Sequence, residues 1–163
     1  MFTGNKQDYI DQLEDALYFA TIIAYTQGLS MLHHASVVYN YNINIATVTS
    51  VWRGGCIIRA AVLEDIRQAY VQVPDLNNLL LSEHFSKLLY KLKNPLKIIV
   101  TSGIQNNIPL PAFNATITYY DSYHSGWLPA NLVQAQRDFF GAHTYERTDK
   151  PGIFHTIWNQ IIE

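Results

Sequence analysis

The sequence has little charge, one cysteine and no long apolar run, and each shortage excludes a class of protein. Only 15% of the 163 residues are charged and the formal net charge is −2, so no broad basic field exists to attract a nucleic-acid backbone. No apolar stretch approaches the roughly 18 residues of a membrane span. The first residues lack the charged-then-apolar order of a signal peptide. The sequence therefore predicts an unsecreted protein that binds neither nucleic acid nor membrane.

The single cysteine, Cys56, cannot form an internal disulfide and lies in an apolar stretch. A buried thiol in a reducing cytoplasm is the ordinary expectation for such a residue. A chain of this length hides roughly 70% of its unfolded surface and needs no disulfide or structural metal. Because charge is scarce while 48% of the residues are hydrophobic, we expect part of the surface to be covered by a partner.

Apolar residues recur at helical spacing along most of the chain, and none alternates with a period of two over a useful length. Between residues 10 and 24, apolar residues follow one another at intervals of three or four, which predicts one apolar helix face. That face comprises Ile10, Leu13, Leu17, Ala20 and Ala24. The pattern predicts a helix of roughly 25 residues that is capped at Asn5 or Asp8 and continues past Gly28, since a glycine costs a long helix only about 1 kcal/mol.

Similar reasoning predicts further helices over residues 44–51, 57–71, 76–81, 82–104, 112–123 and 128–141. Asn44 is the expected cap of the first of these. Pro95 should kink or split the helix over 82–104, because proline removes a backbone donor and clashes with the preceding turn. The fold class is therefore all-α, with a single helical domain over residues 1–145 and an irregular C-terminal tail over 146–163.

Most of the residues that could carry chemistry have an ordinary structural explanation. His33 and His34 are adjacent and point about 100° apart on a helix, and no metal-binding spacing such as HExxH or CxxC occurs. No metal site is predicted. Asp121 and His124 have the spacing of a surface hydrogen-bonded pair.

The segment 52–55, Trp-Arg-Gly-Gly, leaves two alternatives open. Its two glycines allow a sharp turn or a close backbone approach between helices. In the structural alternative it is a tight helix junction with Arg53 and Arg59 in ion pairs. In the functional one these arginines contact a phosphate.

Arg137 and His143 form the best candidate anion site. In a straight helix they would point roughly 120° apart, but a left-handed Gly141 at the helix end can turn the chain back. His143 could then approach Arg137, whose planar fork suits phosphate or carboxylate. The residues alone leave this open against a structural ion pair of Arg137 with Asp138 or Glu146.

Two long segments carry a family resemblance. Residues 52–59 (WRGGCIIR) and 128–146 (LPANLVQAQRDFFGAHTYE) closely resemble the C-terminal helical domain of decarboxylating 6-phosphogluconate dehydrogenase. The resemblance extends from residue 2 to residue 158, whereas residues 159–163 depart from the family pattern. It implies an NADP-dependent oxidoreductase that converts 6-phosphogluconate to ribulose 5-phosphate and carbon dioxide in the pentose phosphate pathway, as a cytoplasmic homodimer used in gluconate utilization.

The resemblance also implies which functions of the enzyme belong to this chain and which belong to the region before it. Arg137 and His143 match family residues that bind substrate in the active site of the other subunit, and the charge-poor surface matches the dimer interface. The eight glycines form no GxGxxG motif, so no NADP site is expected in this chain. The family's acid, base and nucleotide-binding domain lie before the matched region. No catalytic residue is therefore assigned here.

Two rival hypotheses remain at this point. The chain could be a free-standing, non-catalytic helical protein that keeps the dimer architecture for interaction. It could also be an independent anion-binding or hydrolytic protein, which would act without a nicotinamide.

Overall fold

The computed structural model describes residues 4–158, and within them lie six α-helices, a short 3₁₀ turn and one two-stranded ladder. The helices are α1 (Lys6–Val38), α2 (Ile45–Gly55), α3 (Val62–Gln72), α4 (Glu83–Gln105), α5 (Pro111–His124) and α6 (Ala130–Gly141), with the 3₁₀ turn at Leu79–Leu81. The strands are β1 (Tyr145–Glu146) and β2 (Ile153–Phe154). The predicted all-α class is confirmed. Two compact units follow each other, divided between Tyr120 and Asp121.

Helix α1 begins where the sequence predicts. The Asn5 side chain accepts a hydrogen bond from the Gln7 amide at 2.9 Å, which satisfies one of the free donors of the first turn. The helix then runs for 33 residues and passes through Gly28, as predicted, but is longer than expected. It ends at Val38, before Asn40 and Asn42 take left-handed conformations with φ of 55° and 54°.

The core of the first unit forms mainly where α1 packs against α4, with α3 and the 3₁₀ turn contributing. Its fully buried large side chains are Phe19, Phe85, Ile22, Ile23, Leu29, Leu63, Ile66, Leu79, Leu89, Leu96 and Ile99. Phe19 and Tyr120 meet edge to face with ring centroids 5.1 Å apart. Burial of these apolar surfaces is the main stabilising term of this unit.

The predicted buried face of α1 is wrong. Ile10, Leu13 and Leu17 are 44%, 41% and 58% exposed, whereas Ala16 and Phe19 are fully buried. The two sets point about 120° apart on average, because each residue advances about 100° around the axis. Both sides of α1 are apolar, so periodicity detects the helix without revealing which side faces the core.

Helix α2 starts at its predicted cap and continues further than predicted. The Asn44 side chain accepts from the Thr47 amide at 2.8 Å. Gly54 and Gly55 belong to the last turn of α2, and a Cβ added at either would meet no atom within 4 Å. The predicted turn or close approach at these glycines is therefore wrong. Likewise α3 begins at Val62 and not at 57.

Helix α4 is continuous through Pro95, so the predicted split does not occur. The carbonyl that loses its backbone donor belongs to Lys91, four residues earlier. Lys91 is exposed, so water can satisfy that carbonyl. Leu92 and Leu96, which point about 100° and 140° away from Lys91 around the helix axis, are buried in the core and hold the helix in place.

The second unit, described over residues 121–158, contains the end of α5, α6 and the strands. Strands β1 and β2 pair antiparallel, with Tyr145 opposite Phe154 and Glu146 opposite Ile153. The tail is thus not wholly irregular, because the segment 145–154 closes a short hairpin. The boundary predicted between residues 145 and 146 stays a prediction, and the predicted departure at residues 159–163 lies outside the described residues.

None of the helices described within residues 4–158 is both long and apolar enough to cross a membrane.

The cap of α2 provides a direct stability test. We expect Asn44→Ala to lower the free energy of unfolding by about 1 kcal/mol, because the Thr47 amide loses its acceptor. Urea unfolding monitored by circular dichroism measures the change. Asn94→Ala, at an exposed position inside α4, is the matched control and should change the free energy by less than about 0.5 kcal/mol. Equal effects of the two substitutions would contradict the capping role.

Candidate functional site

The candidate site lies at the C-terminal end of α6. Arg137 and His143 are both exposed, as an anion-binding pair must be. The Arg137 Nη1 donates only a long hydrogen bond, 3.4 Å, to Gln134 Oε1. Within residues 4–158 its guanidinium makes no ion pair. The side chain is therefore available to an incoming anion.

The chain turns at the end of α6 through a residue other than the one predicted. Gly141 is the last helical residue, and Ala142 takes the left-handed conformation with φ 49° and ψ 39°. The prediction of a left-handed Gly141 is wrong. The Ala142 amide donates to the Asp138 carbonyl at 2.8 Å, which closes the helix, and Thr144 is also left-handed with φ 63°.

Gly141 has a different role, which is to leave room for the His143 ring. A Cβ at Gly141 would lie 2.8 Å from Nε2 and 3.0 Å from Cδ2 of His143. The imidazole therefore lies against the last turn of α6. Arg137 precedes Gly141 by four residues and so lies on the same side of the helix. The bend thus turns His143 toward the helix face that carries Arg137.

Asp138 is not the partner of Arg137. It is 1% exposed, and its carboxylate accepts hydrogen bonds from the Thr144 amide at 3.1 Å, the Thr156 amide at 2.9 Å and the Trp158 Nε1 at 3.0 Å. Its Oδ1 also lies 2.8 Å from His155 Nδ1. The predicted alternative, an ion pair of Arg137 with Asp138, is wrong because the carboxylate points into this cluster.

The surroundings of Asp138 stabilise its ionised form. Burial acts to raise the pKa of the carboxyl, but the hydrogen bonds from His155, Thr156 and Trp158 outweigh it and lower the pKa to about 2. Sequence reasoning did not identify this cluster. Its donors lie 6 to 20 residues beyond Asp138 and follow no recognisable spacing, so only the folded chain reveals them.

The other two candidate arginines, Arg53 and Arg59, differ in their surroundings. Arg53 forms an ion pair with Glu64, as the structural alternative predicted. Hydrogen bonds from Arg67 and Gln68 lower the pKa of Glu64 to about 2. Arg59 is exposed and makes no ion pair within the part of the chain that is described, so the ion pair that the same alternative predicted for Arg59 is wrong there.

The described residues offer no metal site, but they do form a cleft. Among them, no three His, Cys, Asp or Glu side chains lie close enough together to hold a metal ion. An open cleft of about 630 Å³ lies between α6 and the hairpin, and its lining includes Trp127, Gln134 and Trp158. Sequence reasoning did not predict this cleft.

Comparison with known proteins identifies the family. The family model described as 6-phosphogluconate dehydrogenase, C-terminal domain, matches residues 1–158. The chain belongs to the 6-phosphogluconate dehydrogenase family. The predicted membership is confirmed.

Curated relatives agree with this assignment. The decarboxylating 6-phosphogluconate dehydrogenase of Salmonella typhimurium is 48% identical over 155 residues, which cover 95% of this chain and 33% of the relative. That of Staphylococcus aureus strain N315 is 46% identical over 157 residues, covering 96% of this chain and 34% of the relative. The chain therefore spans about a third of the length of the curated relatives it matches.

A solved member of the family has the same fold. The 6-phosphogluconate dehydrogenase of Plasmodium falciparum superposes with a TM-score of 0.91 at 42% identity, over 97% of this chain and 34% of that chain. That protein was solved without ligand, with its cofactor NADP⁺ and with its substrate 6-phosphogluconate.

The lowered pKa of Asp138 makes this family member sensitive to acid. Because the carboxyl titrates near pH 2 in the folded chain and nearer 3.8 in a free one, its stabilising effect is complete above about pH 4. It is lost as the pH falls from about 4 to about 2. We expect the indole N–H resonance of Trp158 to change as the pH approaches about 2, where its acceptor is protonated in the folded chain.

Two variants complete the test of this acid sensitivity. In Asp138→Asn the acid-dependent change of the Trp158 resonance should disappear. In Glu64→Gln, which removes the other carboxyl with a pKa of about 2, it should persist. A Trp158 resonance that does not respond to pH in the unmodified chain would contradict the assignment of the hydrogen bond.

Proposed function

We propose that this chain forms the substrate-binding and dimerisation portion of an NADP-dependent decarboxylating 6-phosphogluconate dehydrogenase. Such an enzyme oxidises 6-phosphogluconate to ribulose 5-phosphate and carbon dioxide in the pentose phosphate pathway. The observation that carries the proposal is the end of α6, where the family-matched segment presents an exposed Arg137 without an ion pair in the described chain and turns His143 toward the same side. A reducing cytoplasm is the compartment that we propose for it.

The proposed role of the two side chains is to hold the phosphate end of the substrate. The C-terminal end of a helix carries a partial negative charge, so α6 itself does not attract an anion. Attraction must then come from the side chains. The Arg137 fork supplies charge-assisted hydrogen bonds in fixed geometry, and His143 adds a second donor whose charge changes near neutral pH.

The proposed share of this chain in the reaction is positioning. NADP would accept a hydride from the hydroxyl-bearing carbon of the sugar acid, but the residues present do not fit that cofactor. The sequence has no GxGxxG motif, and residues 4–158 contain no strand–glycine loop–helix unit. We place the cofactor, the acid and the base on the portion of the enzyme that precedes the matched region.

A chimaera tests this function directly. We would replace the matching third of the Escherichia coli relative, which is 46% identical, with this chain and measure NADP reduction by 6-phosphogluconate. An active chimaera is expected. In it, Arg137→Ala should raise the KM for 6-phosphogluconate about 30-fold, corresponding to about 2 kcal/mol for the loss of a paired charge.

The controls separate phosphate binding from other effects. Lys91→Ala, which removes an exposed cation from α4, should leave KM unchanged. Calorimetric titration with gluconate should show that affinity for the unphosphorylated acid is insensitive to Arg137→Ala. An active chimaera whose KM is unaffected by Arg137→Ala would refute the role. A folded, dimeric but inactive chimaera would favour the alternative of a non-catalytic interaction protein.

We also propose that the chain pairs with a second copy through its exposed apolar side chains. On α1 these include Ile10, Leu13, Leu17 and Met31, the last 66% exposed. The described part of the second unit exposes Trp127, Leu128, Leu132, Val133, Phe139, Phe140, Ile153, Ile157 and Trp158. Apolar surface of this extent is typical of a protein–protein interface, and the family resemblance implies a homodimer.

Sedimentation analysis tests the pairing. The 18.6 kDa chain is expected to sediment as a dimer, and Leu17→Glu should weaken the dimer about tenfold or more by placing a charge in the interface. Asn94→Glu, which adds the same charge to an exposed polar position of α4, should leave the dimer intact. A chain that remains monomeric at micromolar concentration would contradict the proposal.

A further inference from the structure

The bend that carries His143 is held from both sides by one residue. The Ala142 amide donates to the Asp138 backbone carbonyl at 2.8 Å, and the Thr144 amide donates to its Oδ1 at 3.1 Å. His143 lies between these two anchored residues. Its backbone position is therefore set by Asp138, although neither contact involves the imidazole.

The conformation of this bend requires such an anchor. Ala142 and Thr144 both have positive φ, 49° and 63°, a region that side chains with a Cβ rarely occupy. Thr144 is β-branched, which makes that conformation still less favourable. Strained residues persist only where surrounding contacts over-determine them. Within the bend the Thr144 hydroxyl donates to the His143 carbonyl at 2.6 Å, and the contacts that tie the bend to α6 come from Asp138.

The remaining hydrogen bonds of Asp138 hold its carboxylate in place. The Thr156 amide and the Trp158 Nε1 donate to Oδ2, and His155 Nδ1 lies within hydrogen-bonding distance of Oδ1. With these partners the carboxylate is 1% exposed and cannot itself reach a ligand. Asp138 therefore supports the site through these contacts and does not bind the ligand itself, although it follows Arg137 directly in the sequence.

The ring of His143 depends on this backbone. It lies so close to the last turn of α6 that a Cβ at Gly141 would be 2.8 Å from Nε2. Arg137 lies one turn earlier on the same side of the helix. A change of the backbone at Ala142 or Thr144 would move the ring away from that side.

We propose that Asp138 is a positioning residue that holds His143 against the face of α6 that carries Arg137, so that the two side chains act as a single phosphate-binding pair. The inference rests on the proposed function, because it assigns to Asp138 the preorganisation of the site at which the two side chains act. Asp138 is not a catalytic residue, since it touches neither substrate nor reacting atoms in this arrangement. Its loss should weaken substrate binding and leave the chemical step almost unchanged.

The test uses the chimaera that contains this full chain. In Asp138→Asn one carboxylate oxygen becomes an amide that cannot accept, so two of the donors lose their partner. We expect KM for 6-phosphogluconate to rise about tenfold or more while kcat stays within about twofold. We also expect the Trp158 indole N–H resonance of the chain to shift.

A double-mutant cycle separates positioning from general destabilisation. If Asp138 acts through His143, then Asp138→Asn adds no further rise in KM to a His143→Ala variant. Val62→Ala, which weakens the core of the first unit, serves as the control for lost stability and should leave KM unchanged. Rises in KM that multiply in the double variant, or an unchanged KM in Asp138→Asn, would overturn the inference.

Two further variants keep the test decisive if Asp138→Asn folds poorly. Trp158→Phe removes one donor and keeps the carboxylate, and a smaller rise in KM that vanishes in the His143→Ala background is expected. Gly141→Ala displaces the ring while leaving the Asp138 cluster intact, and should raise KM as His143→Ala does. An unchanged KM in Trp158→Phe despite a lost indole hydrogen bond would overturn the role of Asp138. If Arg137→Ala and His143→Ala both leave KM unchanged, the proposed phosphate-binding function itself is refuted. That result differs from one in which only the role of Asp138 is refuted.

Discussion

The structure of the C-terminal segment depends on one buried carboxylate. An ion removed from water is destabilising unless hydrogen bonds replace its hydration, and the oxygens of Asp138 find two backbone amides, one indole and one imidazole. Within residues 121–158 no other side chain is buried to a comparable extent. The path of the chain from the end of α6 to Trp158 is therefore set by where these donors must be placed.

The two units are stabilised by different physical effects. Residues 4–120 bury a conventional apolar core between α1, α3 and α4, and there hydrophobic burial dominates. Residues 121–158 instead rely on hydrogen bonds to a charge and on a short hairpin, while large side chains such as Leu132 and Phe140 remain 69% and 78% exposed. The described part of this segment therefore buries little apolar surface of its own, which agrees with the proposed pairing of two copies.

Sequence reasoning recovers what local chemistry determines. The caps at Asn5 and Asn44 and the last helix at residues 130–141 follow from side-chain preferences, and the structure contains all of them. The family resemblance rests on long runs of consecutive residues that match the family, and such runs are read from the sequence alone. These features require no knowledge of what lies nearby in space.

Features that depend on distant contacts could not be predicted in this way. Periodicity cannot choose between the two apolar sides of α1, so it predicts a buried Leu17, whereas that side chain is exposed. Adjacency in sequence favours an ion pair of Asp138 with Arg137, whereas the donors to Asp138 in the fold are the Thr144 amide and groups of the segment that follows β2. Gly141 is required by the volume of the His143 ring and not by its own backbone angles.

The cluster around Asp138 also bears on how quickly the segment orders. All of its hydrogen bonds join residues separated by 6 to 20 positions. Closing loops this short has a small entropic cost, and structures built from near neighbours in sequence form fast. The turn, hairpin and indole can therefore assemble as a local unit soon after α6 forms, without help from contacts distant in the sequence.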